Sequence, residues 1–346
     1  TNILHMIHER IISSARVGIF THINPDGDAL GSSIGMAAWL KLAGKRVRIF
    51  LPGAVSDNLR FMIPSGYDAD IFVWDADRAG EIKAEIDACD LLIGLDFNTL
   101  SRIGEFGELF EKSSAYKILV DHHVGPQAEA FDTVVSKTDI SSASELLYHT
   151  LKDAPGVCGM VEMLPEITRT ALLTGMTTDT NNFANSVYPS TLQMASELIA
   201  SGTDRDAIIA QLYFRYPERR IRAHAYIMDK LLTITAKGVA YIVLDSATYD
   251  RLGLQEGDTE GFVNTPLSIG NVRMSIFLKE EKDSGIIRVS LRSKKGVSAR
   301  ECAMRHFNGG GHEQASGGRL YKGRDIADIS EAAAYIEKCT DEFFVE

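Results

Sequence analysis

Cysteine is scarce: only Cys89, Cys158, Cys302 and Cys339 occur in 346 residues, and no two form a C-x-x-C pair. That excludes a disulfide framework and a zinc knuckle, and it leaves the thiols as small buried hydrophobes. Long apolar runs are missing as well. The most continuous ones, such as residues 91–95, are strand-sized, against the roughly 18 residues of a membrane-spanning helix. Thr1-Asn2-Ile3-Leu4-His5 has no basic stretch followed by an apolar block, so no secretory signal is expected and the expected compartment is the cytoplasm. A starting Thr suggests that the true first residue or a tag is missing. Positive charge is in the minority, with 36 Lys and Arg against 47 Asp and Glu, a net −11. Proteins that coat long nucleic acid draw their affinity from phosphate neutralisation and are usually basic. Long-duplex binding is therefore not expected, whereas a short anionic substrate in a locally positive pocket fits the balance.

What is present is an ordinary globular composition, 45% hydrophobic and 24% charged, at a length that suits two domains. The first half alternates short apolar runs with helical periods. Residues 17–21, 46–51, 71–74, 90–96 and 116–121 read as strands; 29–42, 78–88 and 100–111 read as helices. Continuous apolar runs separated by helices predict an α/β fold with a parallel sheet covered on both faces. Residues 165–230 read as mostly helical. Residues 239–244, 272–278 and 286–291 return to strands, with a hairpin turn at 282–285 and a last helix over 325–344. The expected organisation is a first domain over 1–185, a helical linker over 186–215 and a smaller mixed α/β domain over 216–346.

Ligands of open parallel sheets bind at the carboxyl ends of the strands, so the polar residues placed there are informative. Four such segments occur. His22, Asp26 and Asp28 share a loop between a strand and a helix; one Asp there is an ordinary cap, but three potential ligands favour metal binding. Asp96 directly follows an apolar strand, where alone it would simply cap a turn. Asp121-His122-His123 ends another strand, and adjacent imidazoles suit a core poorly. Asp179 follows an apolar helix, a weak signal in isolation. Converged, four carboxylates would repel one another unless cations sat among them, and two divalent ions match their charge. Carboxylate and imidazole ligands without thiolate suit Mn²⁺, with Mg²⁺, Co²⁺ or Fe²⁺ as alternatives.

These segments resemble the four motifs of the DHH phosphoesterase superfamily. Phe307-Asn308-Gly309-Gly310-Gly311-His312-Glu313-Gln314-Ala315-Ser316-Gly317-Gly318 resembles the glycine-rich signature of its DHH-associated domain. The likeness spans nearly the whole chain and is greatest to the small bacterial two-domain members that act as nanoRNases and 3′-phosphoadenosine 5′-phosphate phosphatases. It implies that His22 and Asp26 hold one divalent ion, that Asp28, His122 and Asp179 hold a second, and that Asp96 bridges both. His123 would face the substrate phosphate, supported by Asp121. Arg292 and His312 would grip the terminal nucleotide. The implied activity is two-metal hydrolysis of short oligonucleotides to mononucleotides, and of 3′-phosphoadenosine 5′-phosphate. Cleavage of a linear or cyclic dinucleotide is the nearest alternative, ahead of pyrophosphatase or exopolyphosphatase activity and of a regulator that binds nucleotide without turnover.

Other features have plainer readings. Gly309-Gly310-Gly311 offers unobstructed N–H groups as an anion cradle, or else a flexible turn before a strand. Ser141-Ser142-Ala143-Ser144-Glu145 opens a helix, as a capped N-terminus or a ligand contact. His5 and His8 read as surface or core histidines, Trp39 and Trp74 as core, and Arg215 with Arg219-Arg220-Ile221-Arg222 as a solvated helix face. A homodimer is the base-rate expectation for a soluble oligomer, and no membrane partner is expected.

Overall fold

The computed structural model describes residues 3–345, in two compact units that divide between Arg215 and Tyr216. The first unit opens with α1 (Ile3–Ser13), β1 (Arg16–Phe20), α2 (Gly27–Leu42), β2 (Arg46–Leu51) and β3 (Ile71–Val73). It continues with α3 (Ala79–Asp87), β4 (Leu91–Leu95), α4 (Phe106–Lys112), β5 (Tyr116–Asp121) and β6 (Thr133–Ser136). Four helices complete it: α5 (Ala143–Lys152), α6 (Glu166–Asp179), α7 (Pro189–Ala200) and α8 (Arg205–Tyr213).

The six strands form one parallel sheet in the order β3-β2-β1-β4-β5-β6. Successive side chains leave a strand on opposite faces, so each strand feeds two cores. Val17 and Ile19 of β1 pack with Leu30, Ile34, Leu172 and Leu173 on one face. Phe20 points to the other, where its ring stacks on Phe50 at 4.7 Å and meets Phe106 and Phe110 edge-on. This is the both-faces burial that the continuous apolar runs predicted. It also makes β1 and β4 neighbours although a long stretch of chain separates them, and strand order reverses between them. That reversal opens a crevice at the carboxyl edge of the sheet.

Helix α2 crosses beneath this crevice, buried from Gly27 to Leu40. Its glycines allow α6 to lie almost in contact. A Cβ on Gly31 would stand 2.6 Å from the Ala171 carbonyl oxygen, and one on Gly35 2.8 Å from Leu172. Thr168 Oγ1 donates to the Gly35 carbonyl at 2.8 Å across the same seam. Helices α7 and α8, in the stretch read as linker, contribute Met194, Ala195, Leu198 and Ile208 to the first core. His8 is buried against the Thr150 carbonyl at 2.9 Å, while His5 is exposed beside Glu9. Trp39 joins the core, and Trp74, half-buried, meets Phe106 edge-on.

The second unit contains α9 (Glu218–Lys230), β7 (Leu232–Ile234), β8 (Val239–Leu244), α10 (Ser246–Arg251), β9 (Met274–Glu280) and β10 (Ile286–Ser293). Then come α11 (Ala299–His306), β11 (Gly310–Gly311), β12 (Ala315–Tyr321) and α12 (Ala332–Phe343). Its sheet runs β11-β12-β10-β9-β8-β7, antiparallel except for the β8–β9 pair. Here the sequence expectations need correction in several places. The segment 100–111 is broken at Gly104, whose φ of +58° turns the chain between a 3₁₀ turn and α4. The last helix starts at Ala332, not near 325, because the Asp325 carboxylate accepts from the Tyr321 N–H and the Asn308 amide. Strands β6, β7 and β11 are too short to carry a readable alternation. Arg220 is no solvated residue. It is buried, donates to the carbonyls of Asp258 and Glu260, and lies over the rings of Tyr216 and Phe262 at 4.1 and 4.8 Å.

Candidate metal centre

Strand β1 ends at the crevice and delivers His22, Asp26 and Asp28 in quick succession. His22 is buried, and its Nδ1 lies 2.8 Å from the Ile23 carbonyl, the arrangement of an Nδ1–H donor that leaves Nε2 toward the crevice. Asp26 does cap α2, accepting the N–H groups of Asp28 and Ala29 at 3.0 Å. The same carboxylate oxygen stands 3.7 Å from His22 Nε2, so capping and ligation do not compete for this residue. Asp28, in the first turn of α2, is buried and accepts twice from the first turn of α5: Ala143 N–H at 2.7 Å and Ser144 N–H at 2.9 Å. Gly175 in α6 makes room for this contact. A Cβ there would lie 2.1 Å from Ser144 Oγ and 3.1 Å from Asp28 Oδ1.

Asp96 follows β4 at the centre of the cluster. Its backbone is left-handed, with φ of +64°, a conformation Asp tolerates better than most residues. Its Oδ2 lies 3.3 Å from His22 Nε2, and its Oδ1 lies 3.3 Å from His122 Nε2 and 3.8 Å from His123 Nδ1. Although buried, Oδ1 has no hydrogen bond of good geometry among the described residues. Strand β5 ends in Asp121, whose two oxygens face the ring Nδ1 and the backbone N–H of His123 at 2.7 and 3.1 Å. His122 Nε2 also lies 3.8 Å from Asp28 and 3.5 Å from Asp179, the last residue of α6. The turn that follows Asp179 is tight: Asn181, Asn182 and Phe183 all have positive φ.

The electrostatics are those of an acid cluster short of positive charge. Burial pushes Asp28 up and the Asp96 carboxylate pushes it further, to about 7. Burial and then Asp28 drive Asp179 well above the usual carboxylate range. Burial opposes the charge on Asp96 too, but His122 and His22 beside it hold it well below that range. In return His122, despite its burial, is raised to about 10 by Asp96 and Asp179, and His22 is raised by Asp26 and Asp96. Thus imidazolium stands in for part of the missing charge. A buried carboxylate oxygen without a hydrogen bond, amid oxygen and nitrogen donors and no sulfur, fits divalent cations. Within the first unit, three groups of described residues bring their ligand atoms within 4.8 Å: His22, Asp26 and Asp96; Asp28, Asp96 and His122; and Asp96, Asp121 and His123.

All eight first-unit residues singled out from sequence therefore meet at the reversal between β1 and β4, with β5 and the end of α6 alongside. Sequence reasoning missed Gly175 and the two α5 amides that hold Asp28. Backbone donors leave no residue-type signal, but the Gly27-x₃-Gly31-x₃-Gly35 spacing was a readable sign that another helix packs close on α2.

In the second unit, Arg292 lies on β10 and donates from Nη1 to the carbonyls of Leu291 and Ser316, at 2.8 and 3.4 Å. The glycine-rich segment is largely a packing device. A Cβ on Gly309 would stand 1.9 Å from the Gly317 carbonyl oxygen, and one on Gly318 2.2 Å from that of Phe307. The Gly309 N–H is given to the Ala303 carbonyl and the His312 N–H to that of Ala315. The expected open three-amide cradle over Gly309–Gly311 is thus not found: the Gly309 N–H is spent, and Gly310 and Gly311 pair with Gly317 and Ser316 in the β11–β12 ladder, which is no flexible turn either.

A doubly wound parallel sheet that gathers carboxylates and imidazoles at its switch point defines a hydrolase acting on phosphoesters with the help of metal ions. The chain belongs to the DHH family. Residues 16–176 match the DHH family, N-terminal domain, and residues 237–338 match the DHHA1 domain. Over 89% of its length it is 30% identical to the bifunctional oligoribonuclease and PAP phosphatase NrnA of Thermus thermophilus, covering 85% of that protein. To the protein of the same name from Bacillus subtilis it is 27% identical, over 89% of this chain and 91% of that one. Among solved structures, an exopolyphosphatase-related protein from Bacteroides fragilis superposes with a TM-score of 0.88 at 32% identity, covering 99% of this chain and 96% of that one.

Proposed function

We propose that this enzyme hydrolyses short oligonucleotides to mononucleotides and removes the 3′-phosphate of 3′-phosphoadenosine 5′-phosphate, using two divalent cations, with Mn²⁺ as the preferred ion. The observation that carries the metal assignment is Asp96, buried and central, with one oxygen toward His22 and the other toward His122. One carboxylate so placed can serve two ions. His22 and Asp26 would complete the first set of ligands, and Asp28, His122 and Asp179 the second. The names and extents of the NrnA relatives support the substrate choice. A cytoplasmic location goes with this reading.

Bound there, divalent cations offset the charge of the phosphate and lower the pKa of water toward neutrality. The chain's own residues do the rest. The Asp121 carboxylate orients the His123 ring through Nδ1, and the ring so held would stabilise charge developing on a phosphoryl oxygen. The α5 amides fix the plane of the Asp28 carboxylate. We assign this chemistry to the first unit and nucleotide binding to the second, through Arg292, His312 and the Gly309–Gly311 hairpin.

The test is a substrate panel with Mn²⁺: a linear dinucleotide, a cyclic dinucleotide, pyrophosphate, polyphosphate and 3′-phosphoadenosine 5′-phosphate. Turnover of the first and last, abolished by chelation and by Asp96→Ala, is the expected result. Full turnover by the chelated protein overturns the metal assignment. Exclusive hydrolysis of polyphosphate would favour the activity suggested by the name of the Bacteroides structure. Arg292→Ala should lower kcat/KM on the dinucleotide about tenfold to a hundredfold, the weight of a hydrogen bond to a charged group, and spare a small aryl phosphodiester. Equal loss on both substrates removes Arg292 from nucleotide binding.

A further inference from the structure

Glu145 is a fully buried carboxylate that the reaction does not use. It is the third residue of α5, the helix whose first two N–H groups are spent on Asp28. The third, its own, goes to the side chain of the N-cap, Ser142, at 2.9 Å. Its carboxylate reaches back past the cap. Oε2 accepts the Ser141 N–H at 3.0 Å and the Ser141 hydroxyl, closing the turn that starts the helix. The same oxygen accepts the Thr191 hydroxyl at 2.7 Å. Thr191 Oγ1 in turn accepts the Tyr188 N–H at 3.1 Å, so the start of α7 is bound to the start of α5. The connection between Asp179 and α7 runs from the metal centre to that point, through the left-handed turn at 181–183. One buried side chain thus ties the helix turn that grips Asp28 to the helix that follows Asp179.

A helix N-terminus holds an anion well only if its first turn stays formed and aimed. The N–H groups of Ala143 and Ser144 have no freedom to follow Asp28 once Glu145 has pinned the residues on either side. We propose that Glu145 is a positioning residue of the metal centre: through the first turn of α5 it sets the Asp28 carboxylate, and with it the ion site that Asp28 and His122 share. The proposal rests on the reading of this cluster as a metal centre.

The experiment is Mn²⁺ titration of the chelated, full-length protein, followed by the loss of the free-ion electron paramagnetic resonance signal, with Glu145→Gln beside wild type. Gln keeps the shape and one acceptor oxygen but loses the charge that draws three donors to one atom. The expected result is two sites in wild type and, in Glu145→Gln, one site weakened tenfold or more while the other keeps its affinity, with the dinucleotide KM changed less than kcat. Two sites of unchanged affinity in Glu145→Gln overturn the proposal, as does equal weakening of both, which is the mark of a general loss of structure. Should Glu145→Gln fail to fold, Ser141→Ala, which removes one donor and leaves the N–H, must weaken the same single site. A wild-type protein that binds no Mn²⁺ overturns the metal-centre reading, and this proposal with it. The two failures are therefore distinct.

Discussion

At the scale of single residues, several side chains of the centre hold two partners. Asp26 caps a helix and faces His22; Asp121 takes both the ring and the backbone of His123. Such double engagement restricts the rotamers open to each of these side chains. Gly175 is the least conspicuous member and a sharp probe. Its Cβ would meet Ser144 Oγ at 2.1 Å in a core with no slack, so Gly175→Ala must push α6 away from α5 and α2. The expected cost is roughly 1–3 kcal/mol of stability, as for overpacked cores. It should appear as a lower denaturant midpoint at unchanged m, together with weaker Mn²⁺ binding. Unaltered stability and binding would mean that the seam yields freely.

At the scale of elements, the seam between α5 and α7 is a polar one inside the first unit. Glu145 meets Thr191, while Glu197 of α7 accepts from Lys152 and Tyr148 of α5. Burial works against the Glu145 charge, but His149 beside it and the hydroxyls of Ser141, Ser190 and Thr191 outweigh that and hold it at about 2. A folded pKa below the unfolded value of 4.5 means stability that is complete above about 4.5 and lost as pH falls toward 2. In the chelated protein the denaturant midpoint should therefore drop across that window, and Glu145→Gln should flatten the drop. An equally steep fall in the variant would assign acid sensitivity to other carboxylates. The elements also mark where sequence reading reached its limit. Long parallel strands and α2 were legible because their apolar periods run for several residues. The start of α12, the break at Gly104 and strand β11 were not, since each depends on a partner distant in sequence or on a single backbone angle.

At the scale of the whole molecule, two units with separate cores meet along the chain between Arg215 and Tyr216, both exposed, with exposed Phe214 just before them. Exposed connections with few buried contacts are preferred sites of proteolytic nicking. Limited trypsin digestion should cut after Arg215 before it cuts inside either unit, giving two fragments identified by intact mass. First cleavage elsewhere would show that this connection is protected in solution. The helices over 189–213, read from sequence as linker, belong with the first unit because their apolar faces complete its core. Periodicity identifies an apolar face but does not say which core receives it.

The division of labour between sequence and tertiary structure follows from range. Local pattern was enough for the parallel α/β class, the strand ends that carry His22, Asp96 and His122, and the family to which these motifs point. Each of those signals lies within a few adjacent residues: an apolar run, a cap, an Asp at a strand end. It took the folded chain to reveal that Asp28 is held by amides of α5, that Gly175 makes the space for it, that Arg220 is buried, and that the glycine-rich segment packs backbone on backbone. Those depend on atoms brought together across a hundred residues or across a hairpin, and on backbone groups that every residue carries alike. Identical donors leave no mark in a sequence; their meaning comes from what folding sets against them.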